Sequence, residues 1–244
     1  MTDSHGLITC ARYALPPNRL EYCGPLKSQE IQAYVRESAS DENLSLIISQ
    51  FETLYPYLTY IARGNGIADP FDQRVVEAYW IGNDLLKKLT QKSLYAHFAD
   101  SLSLKKRLTS KELEWLIGKI PQGALAHHTF HVLNVFTRTG HHSVKHTIET
   151  MDACRIGWGT LTSVDKNAVV LSTKPLILEK NKLTLGKERE KRIAITTGIF
   201  LSVKDIGSIY TYHWDTICDQ ITKVQENNLI AVTSSAIRLA NLTL

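Results

Sequence analysis

The chain has 244 residues, enough for one large domain or two small ones with a substantial core. Its 43% hydrophobic and 21% charged residues exclude a disordered or fibrous protein. The net charge of +4 comes without a basic run of one sign, which argues against a dedicated nucleic-acid binder. No segment has the roughly 18 unbroken apolar residues that a membrane span needs.

The beginning of the sequence and its cysteines indicate a compartment. The first residues lack a basic stretch followed by a long apolar one, so we expect no secretory signal and a cytoplasmic location. The four cysteines would then be reduced thiols. Packing, metal ligation or catalysis is favoured for them over disulfides. They are Cys10, Cys23, Cys154 and Cys218.

Residues 1–150 have the pattern of helices. Apolar residues recur at helical spacing from Leu44 to Ile61, and Pro56 predicts a kink within that helix. Asp69 and Pro70 predict the start of the next helix. The segment from Thr109 to Glu112 is close to a capping box and predicts a further helix that ends near Gly118.

After Cys154 the hydrophobic period changes from 3.6 toward 2. Short β-branched runs are separated by turn signals at 165–167, 174–175 and 180–182. A last strand over 207–214 precedes an amphipathic helical tail. The sequence therefore predicts an α+β protein, with an N-terminal helical domain (1–150) followed by a small OB-like antiparallel barrel and a C-terminal helix (151–244).

Two motifs of the C-terminal half carry a resemblance. They are the run from Cys154 to Gly159 (CRIGWG) and the run from Gly207 to His213 (GSIYTYH). In this order, with a hairpin between them, they resemble HypC-type [NiFe]-hydrogenase assembly chaperones. The resemblance implies that Cys154 and His213 hold iron carrying cyanide and carbon monoxide. It also implies hydrogenase maturation proteins or a hydrogenase large-subunit precursor as partners.

Ligand chemistry agrees with that assignment. A thiolate is a soft ligand and an imidazole a borderline one, so the pair suits low-spin iron better than an oxygen site would. Two protein ligands leave most of the coordination sphere open, as a carrier requires. The leading hypothesis is a scaffold rather than an enzyme. The structural alternative is a buried cysteine at a strand start and a histidine that caps a strand end.

The chain as a whole is also similar to an uncharacterised bacterial family. The matching phrases are ARYALPPNRLEYCGP, VVEAYWIGNDLL, HHTFHV, CRIGWG and HWDTICD. This second resemblance implies a two-part architecture and no particular activity.

A second hypothesis is an enzyme that acts on a small acyl or amide substrate. Cys23 precedes a Gly-Pro turn that could expose and activate its thiol as nucleophile. His127 and His131 are spaced i and i+4, and they or His128 could supply a base. A buried thiol and core histidines are the structural alternatives.

The remaining candidates concern binding surfaces. Tyr210, Tyr212 and Trp214 alternate on one face of the last strand, and they either form a stacking platform for single strands or belong to the core. Our expected partners include neither nucleic acid nor a membrane. Candidates for lining an interdomain cleft are Arg12, Tyr13, Asn18, Glu77, Tyr79 and Trp80.

Overall fold

The computed structural model describes residues 4–135, 139–165, 168–195 and 201–244. In these ranges no helix is long and apolar enough to cross a bilayer. The helices are α1 (Ser4–Arg19), α2 (Ser28–Glu37), α3 (Glu42–Ser49), α4 (Leu54–Gly64), α5 (Gln73–Trp80), α6 (Gln91–Ala96), α7 (Leu104–Arg107), α8 (Ser110–Gly118), α9 (His128–Asn134), α10 (Ile148–Cys154) and α11 (Lys223–Ala240). The strands are β1 (Gly157–Val164), β2 (Ala168–Thr173), β3 (Leu176–Glu179), β4 (Lys182–Leu185), β5 (Arg189–Ala194), β6 (Ile209–His213) and β7 (Thr216–Ile221).

Five strands form a small barrel-like sheet in the order β1-β2-β5-β7-β6, and β1 also pairs with β6. All pairings are antiparallel except that of β5 with β7, which is parallel and consists of the single pair Ala194 and Thr216. The contact between β5 and β7 is therefore much shorter than the other strand pairings of this sheet. Strands β3 and β4 form a separate hairpin. The predicted α+β fold, with helices first, a small sheet next and a helix last, is confirmed.

The described residues contain two hydrophobic cores. A small core inside the barrel includes Leu161, Val169, Leu171 and Tyr212. The large core contains residues of the helices together with residues of the hairpin, β7 and α11. The predicted boundary at residue 150 falls inside α10, and the large core is continuous across it. The division into domains 1–150 and 151–244 stays a prediction.

Of three local predictions for the helices, the structure confirms one and differs from two. Thr109 and Glu112 form the capping box of α8, which ends at Gly118, as predicted. The single helix expected from Leu44 to Ile61 is instead two helices, α3 and α4. Pro56 lies in the first turn of α4, where its missing N–H would have no helical partner, so it causes no kink.

The helix expected after Asp69 and Pro70 begins later than predicted. The Asp69 carboxylate accepts a hydrogen bond from the Phe71 N–H at 2.8 Å, which stabilises a turn instead. Asp72 is the N-cap of α5 and accepts from the Arg74 N–H at 2.9 Å. Of the predicted turn at 165–167, residues 166 and 167 lie outside the described residues.

Candidate metal centre

Three side chains from distant parts of the chain meet between the helices and the barrel. His128 is the first residue of α9, Cys154 the last of α10 and His213 the last of β6. One nitrogen or sulfur atom of each lies within 4.8 Å of the others. All three residues are buried, with exposed fractions of 8%, 6% and 1%. We call this group the metal triad.

The end of α10 is hydrogen-bonded to the turn that follows β6, and this bond positions Cys154 beside His213. The Trp214 N–H donates to the carbonyl oxygen of Ala153 at 2.8 Å and so brings the end of β6 beside α10. Trp214 and Asp215 both have positive φ, 46° and 54°, as in the type I′ turns that join hairpin strands. Neither residue is glycine, so this turn holds backbone strain immediately after His213.

The two glycines that follow Cys154 are required by close packing within the barrel. A Cβ atom on Gly157 would lie 2.2 Å from the ring of Tyr212, and one on Gly159 would lie 2.4 Å from the carbonyl oxygen of Ser172. Any side chain at either position would push β1 away from its neighbours. Cys154 would then lose its position relative to His213.

Asp152 and Arg155, which flank Cys154 in the sequence, form a buried ion pair. Arg155 is fully buried, and its Nε and Nη2 atoms lie 2.8 and 2.7 Å from Asp152 Oδ1. The same carboxylate oxygen accepts from the Leu176 N–H at 2.9 Å, and Arg155 Nη2 also donates to the carbonyl oxygen of Lys174 at 2.8 Å. These bonds attach the end of α10 to β3.

Hydrogen bonds assign the protons of both triad histidines. His213 Nδ1 lies 2.8 Å from the carbonyl oxygen of Tyr13. Because a carbonyl oxygen can only accept, Nδ1 carries the proton and Nε2 the lone pair. His128 Nε2 lies 2.8 Å from the carbonyl oxygen of Cys154, which puts the His128 proton on Nε2 and the lone pair on Nδ1. Hydrogen bonds of this kind, made by the ring nitrogen that does not bind the metal, orient metal-binding histidines in general.

Burial keeps the imidazole of His128 in the neutral form that a metal requires. Burial, and next the neighbouring His213, lower the pKa of His128 well below 6.5, so its imidazole is neutral at physiological pH. The Tyr79 hydroxyl lies 3.2 Å from His128 Nδ1. Burial raises the pKa of Tyr79 well above 10, so this hydroxyl is a neutral donor to Nδ1.

The metal triad lines a cavity of about 50 Å³, room for a few small ligands. Its other walls are mainly apolar and include Phe51, Leu54, Trp80 and Val132. Three further donors, Cys23, His131 and His146, line the same cavity. The ligand atoms of a tetrahedral site lie about 3.3–3.8 Å apart for typical metal–nitrogen and metal–sulfur bonds. A contraction on the order of 1 Å would therefore let the metal triad close on an ion.

Most of the site residues predicted from the sequence lie in this cavity, and one of them does not. It brings Cys154 and His213 together, and it places Cys23 and His131 in the same cavity. It does not place His127 there. Helix α9 begins at His128, so His127 is the N-cap and its Nδ1 accepts from the Thr129 N–H at 3.0 Å. The expected helical pair of His127 and His131 is not formed, because His127 is extended and outside the helix.

Two histidines of the cavity are not predicted as metal ligands from the sequence. The sequence predicts His128 only as a possible base, and the signal for its role beside Cys154 and His213 is the histidine-rich phrase HHTFHV. His146 lies in a polar stretch without a recognisable pattern. Tyr79 and Trp80, expected at a cleft, do line the cavity. Tyr210 and Tyr212 are buried in the barrel core and form no exposed stacking platform.

Comparison with known proteins gives a family and no activity. The chain belongs to DUF6390, a family of unknown function whose pattern matches residues 2–244. This confirms the resemblance to an uncharacterised family over the whole chain. No curated protein and no solved structure gives a significant match.

Proposed function

We propose that this member of the DUF6390 family holds a metal ion with His128, Cys154 and His213 and delivers it to a partner protein. One observation carries the proposal: three metal-binding side chains, remote in sequence, converge in one buried cavity. One thiolate and two imidazoles suit iron and other borderline metals. Three protein ligands leave at least one coordination position open toward the cavity.

The more specific proposal is that the cargo is iron with cyanide and carbonyl ligands during [NiFe]-hydrogenase maturation. Its support is the position of Cys154 and His213 in motifs similar to those of HypC-type chaperones. A small apolar cavity beside the ligands would give diatomic groups a place from which water is excluded. Hydrogenase maturation proteins or the large-subunit precursor would be the partners. We propose a cytoplasmic site of action, where the four free thiols stay reduced.

Anaerobic purification from a host that expresses hydrogenase-assembly genes tests the cargo. We expect iron in the purified protein and infrared bands in the window where metal-bound cyanide and carbon monoxide absorb. The bands should vanish in Cys154→Ala and persist in Cys10→Ala, which removes a buried thiol that does not line the cavity. Protein that carries no iron and gives no bands would overturn the specific proposal.

A second candidate function is supported by the position of Cys23. Its thiol is half-buried and lines the cavity together with His128, His131 and His146. As an enzyme, the protein would attack an acyl carbon with the Cys23 thiolate, protonate the leaving amine from a histidine and hydrolyse the thioester with water. His127 does not serve as the base in this candidate mechanism, because it does not line the cavity. Hydrolysis of small amides that is lost in Cys23→Ala and kept in metal-free wild-type protein would support this candidate.

A further inference from the structure

The sulfur and nitrogen donors of the cavity differ in how far they lie from solvent. The metal triad is buried. Cys23 is half-buried and His146 is exposed, although both line the same cavity. A cation that reaches the metal triad from water must lose its hydration shell, which is costly in an apolar cavity unless other ligands replace the water. Donors placed between solvent and the metal triad would lower that cost.

The position of Cys23 is fixed by its own turn. Asn18 Nδ2 donates to the carbonyl oxygens of Cys23 and Pro25 at 2.8 and 2.6 Å. Gly24 has a φ of 78°, and a Cβ there would lie 2.4 Å from the ring of Phe51. The turn therefore packs directly on a wall of the cavity, and Cys23, the least buried of the four cysteines, lines that cavity.

The segment that carries His146 begins on the same turn. A Cβ on Gly140 would lie 2.1 Å from the carbonyl carbon of Tyr22, so the two backbones are in direct contact. The His142 N–H donates to the carbonyl oxygen of Glu21 at 3.0 Å, and the His142 side chain pairs with Glu21 at 3.2 Å. These contacts hold Gly140 and His142 against the turn of Cys23, and His146 follows four residues after His142.

We propose that Cys23 and His146 are rim ligands, which take a divalent cation from solvent and pass it inward to the metal triad. This inference rests on the proposed function, because it requires the metal triad to bind metal. Cys23 releases its thiol proton to water when it binds the cation. It regains a proton when the cation moves to Cys154, which releases its own proton in turn. No electron is transferred, so the step needs no oxidant or reductant.

Anaerobic stopped-flow loading of the reduced full-length protein with Co²⁺ tests the inference. Thiolate-to-cobalt absorption reports cobalt bound to Cys23 or Cys154 in the wild type and to Cys154 alone in Cys23→Ser, and the growth of the final d–d bands measures loading of the metal triad. We expect Cys23→Ser and His146→Gln each to slow loading at least about 10-fold and to leave the final spectrum unchanged. Cys10→Ala and His141→Gln are the matched controls and should load at the wild-type rate, since neither residue lines the cavity.

The outcomes separate the rim role from the proposed function. Wild-type loading rates in both rim variants, with a normal final spectrum, would overturn the rim role alone. A changed final spectrum in Cys23→Ser would make Cys23 a permanent ligand and would also overturn it. No cobalt signal in the wild type would overturn the proposed function itself. Alkylation of the unmutated protein by iodoacetamide gives a second measurement. Cys23 should react first, since it is the least buried of the four thiols. Cobalt loading that stays fast after Cys23 is alkylated contradicts the inference.

Discussion

The imidazole of His128 donates from Nε2 to the carbonyl oxygen of Cys154, which lies 26 residues further along the chain, at 2.8 Å. This bond joins two members of the metal triad before any metal arrives. It also leaves the lone pair of His128 on Nδ1, where the Tyr79 hydroxyl donates to it at 3.2 Å. A metal that binds His128 in this orientation must displace that hydroxyl.

Tyr79→Phe should therefore tighten metal binding. A displaced hydrogen bond of ordinary net strength corresponds to a Kd lower by about 2- to 12-fold. Tyr57→Phe is the matched control, because the Tyr57 hydroxyl makes the same 3.2 Å contact with Nδ1 of His131, outside the metal triad. Competition with a chelator of known affinity measures both variants. Equal Kd values for Tyr79→Phe and the wild type would show that the hydroxyl is not displaced.

Asp152→Ala should destabilise the fold by about 3–5 kcal/mol, because it leaves the Arg155 charge buried without its partner. The exposed ion pair of Lys27 and Glu30 is the comparison, and Glu30→Ala should change the free energy of unfolding by less than about 1 kcal/mol. Urea unfolding followed by circular dichroism gives both values. Similar effects of the two substitutions would contradict a structural role for the buried pair.

His97→Phe should reduce the acid sensitivity of the fold. Both ring nitrogens of His97 are buried without a hydrogen-bond partner among the described residues, and the ring stacks on Tyr60 with centroids 4.5 Å apart. Burial lowers the pKa of His97 to about 3. The unfolded chain takes up a proton below about pH 6.5. The folded chain does not until about pH 3. The stability that neutral His97 permits is therefore lost as the pH falls through that window.

The size of this effect follows from proton linkage. Between pH 7 and pH 5, wild-type His97 should reduce the free energy of unfolding by about 2 kcal/mol, and His97→Phe should remove that part of the loss. Denaturant unfolding at both pH values measures the difference, with exposed His141→Gln as control. An unchanged pH dependence in His97→Phe would show that His97 is protonated in the folded protein.

Gly24→Ala should destabilise the protein more than Gly66→Ala. Both glycines have positive φ, 78° and 68°, so each alanine incurs a similar backbone cost of about 1–2 kcal/mol. A Cβ at Gly66 meets no atom within 4 Å, whereas one at Gly24 would lie 2.4 Å from the Phe51 ring. This overlap should add about 1–3 kcal/mol. Equal thermal shifts for the two variants would mean that the turn moves away from the cavity wall without cost.

Local signals in the sequence were sufficient for much of the fold. The capping box of Thr109 and Glu112 lies within four residues, and the period-2 strands after Cys154 depend on near neighbours. The break between α3 and α4 was not predictable in this way. The apolar spacing continues across it, and that spacing does not show that Pro56 separates two helices instead of kinking a single one.

Only part of the candidate site could be predicted, because local patterns do not encode contacts between distant segments. Cys154 and His213 carry short motifs that could be recognised. His128 joins them only because α9 packs beside the end of α10, a contact that no local pattern encodes. The adjacent residue His127 has the same chemistry and a nearly identical sequence context. Its position as N-cap directs it away from the cavity, and only the start of the helix decides between the two.

The most direct test of the central claim is X-ray absorption spectroscopy of the protein loaded anaerobically with a stoichiometric amount of metal. We predict that one sulfur and two imidazole nitrogens coordinate the metal, with the sulfur lost in Cys154→Ala and one imidazole lost in His128→Ala. His131→Ala should keep the full shell, because His131 lines the cavity outside the metal triad. A shell of oxygen atoms alone in the wild type, or an unchanged shell in Cys154→Ala, would contradict the metal triad.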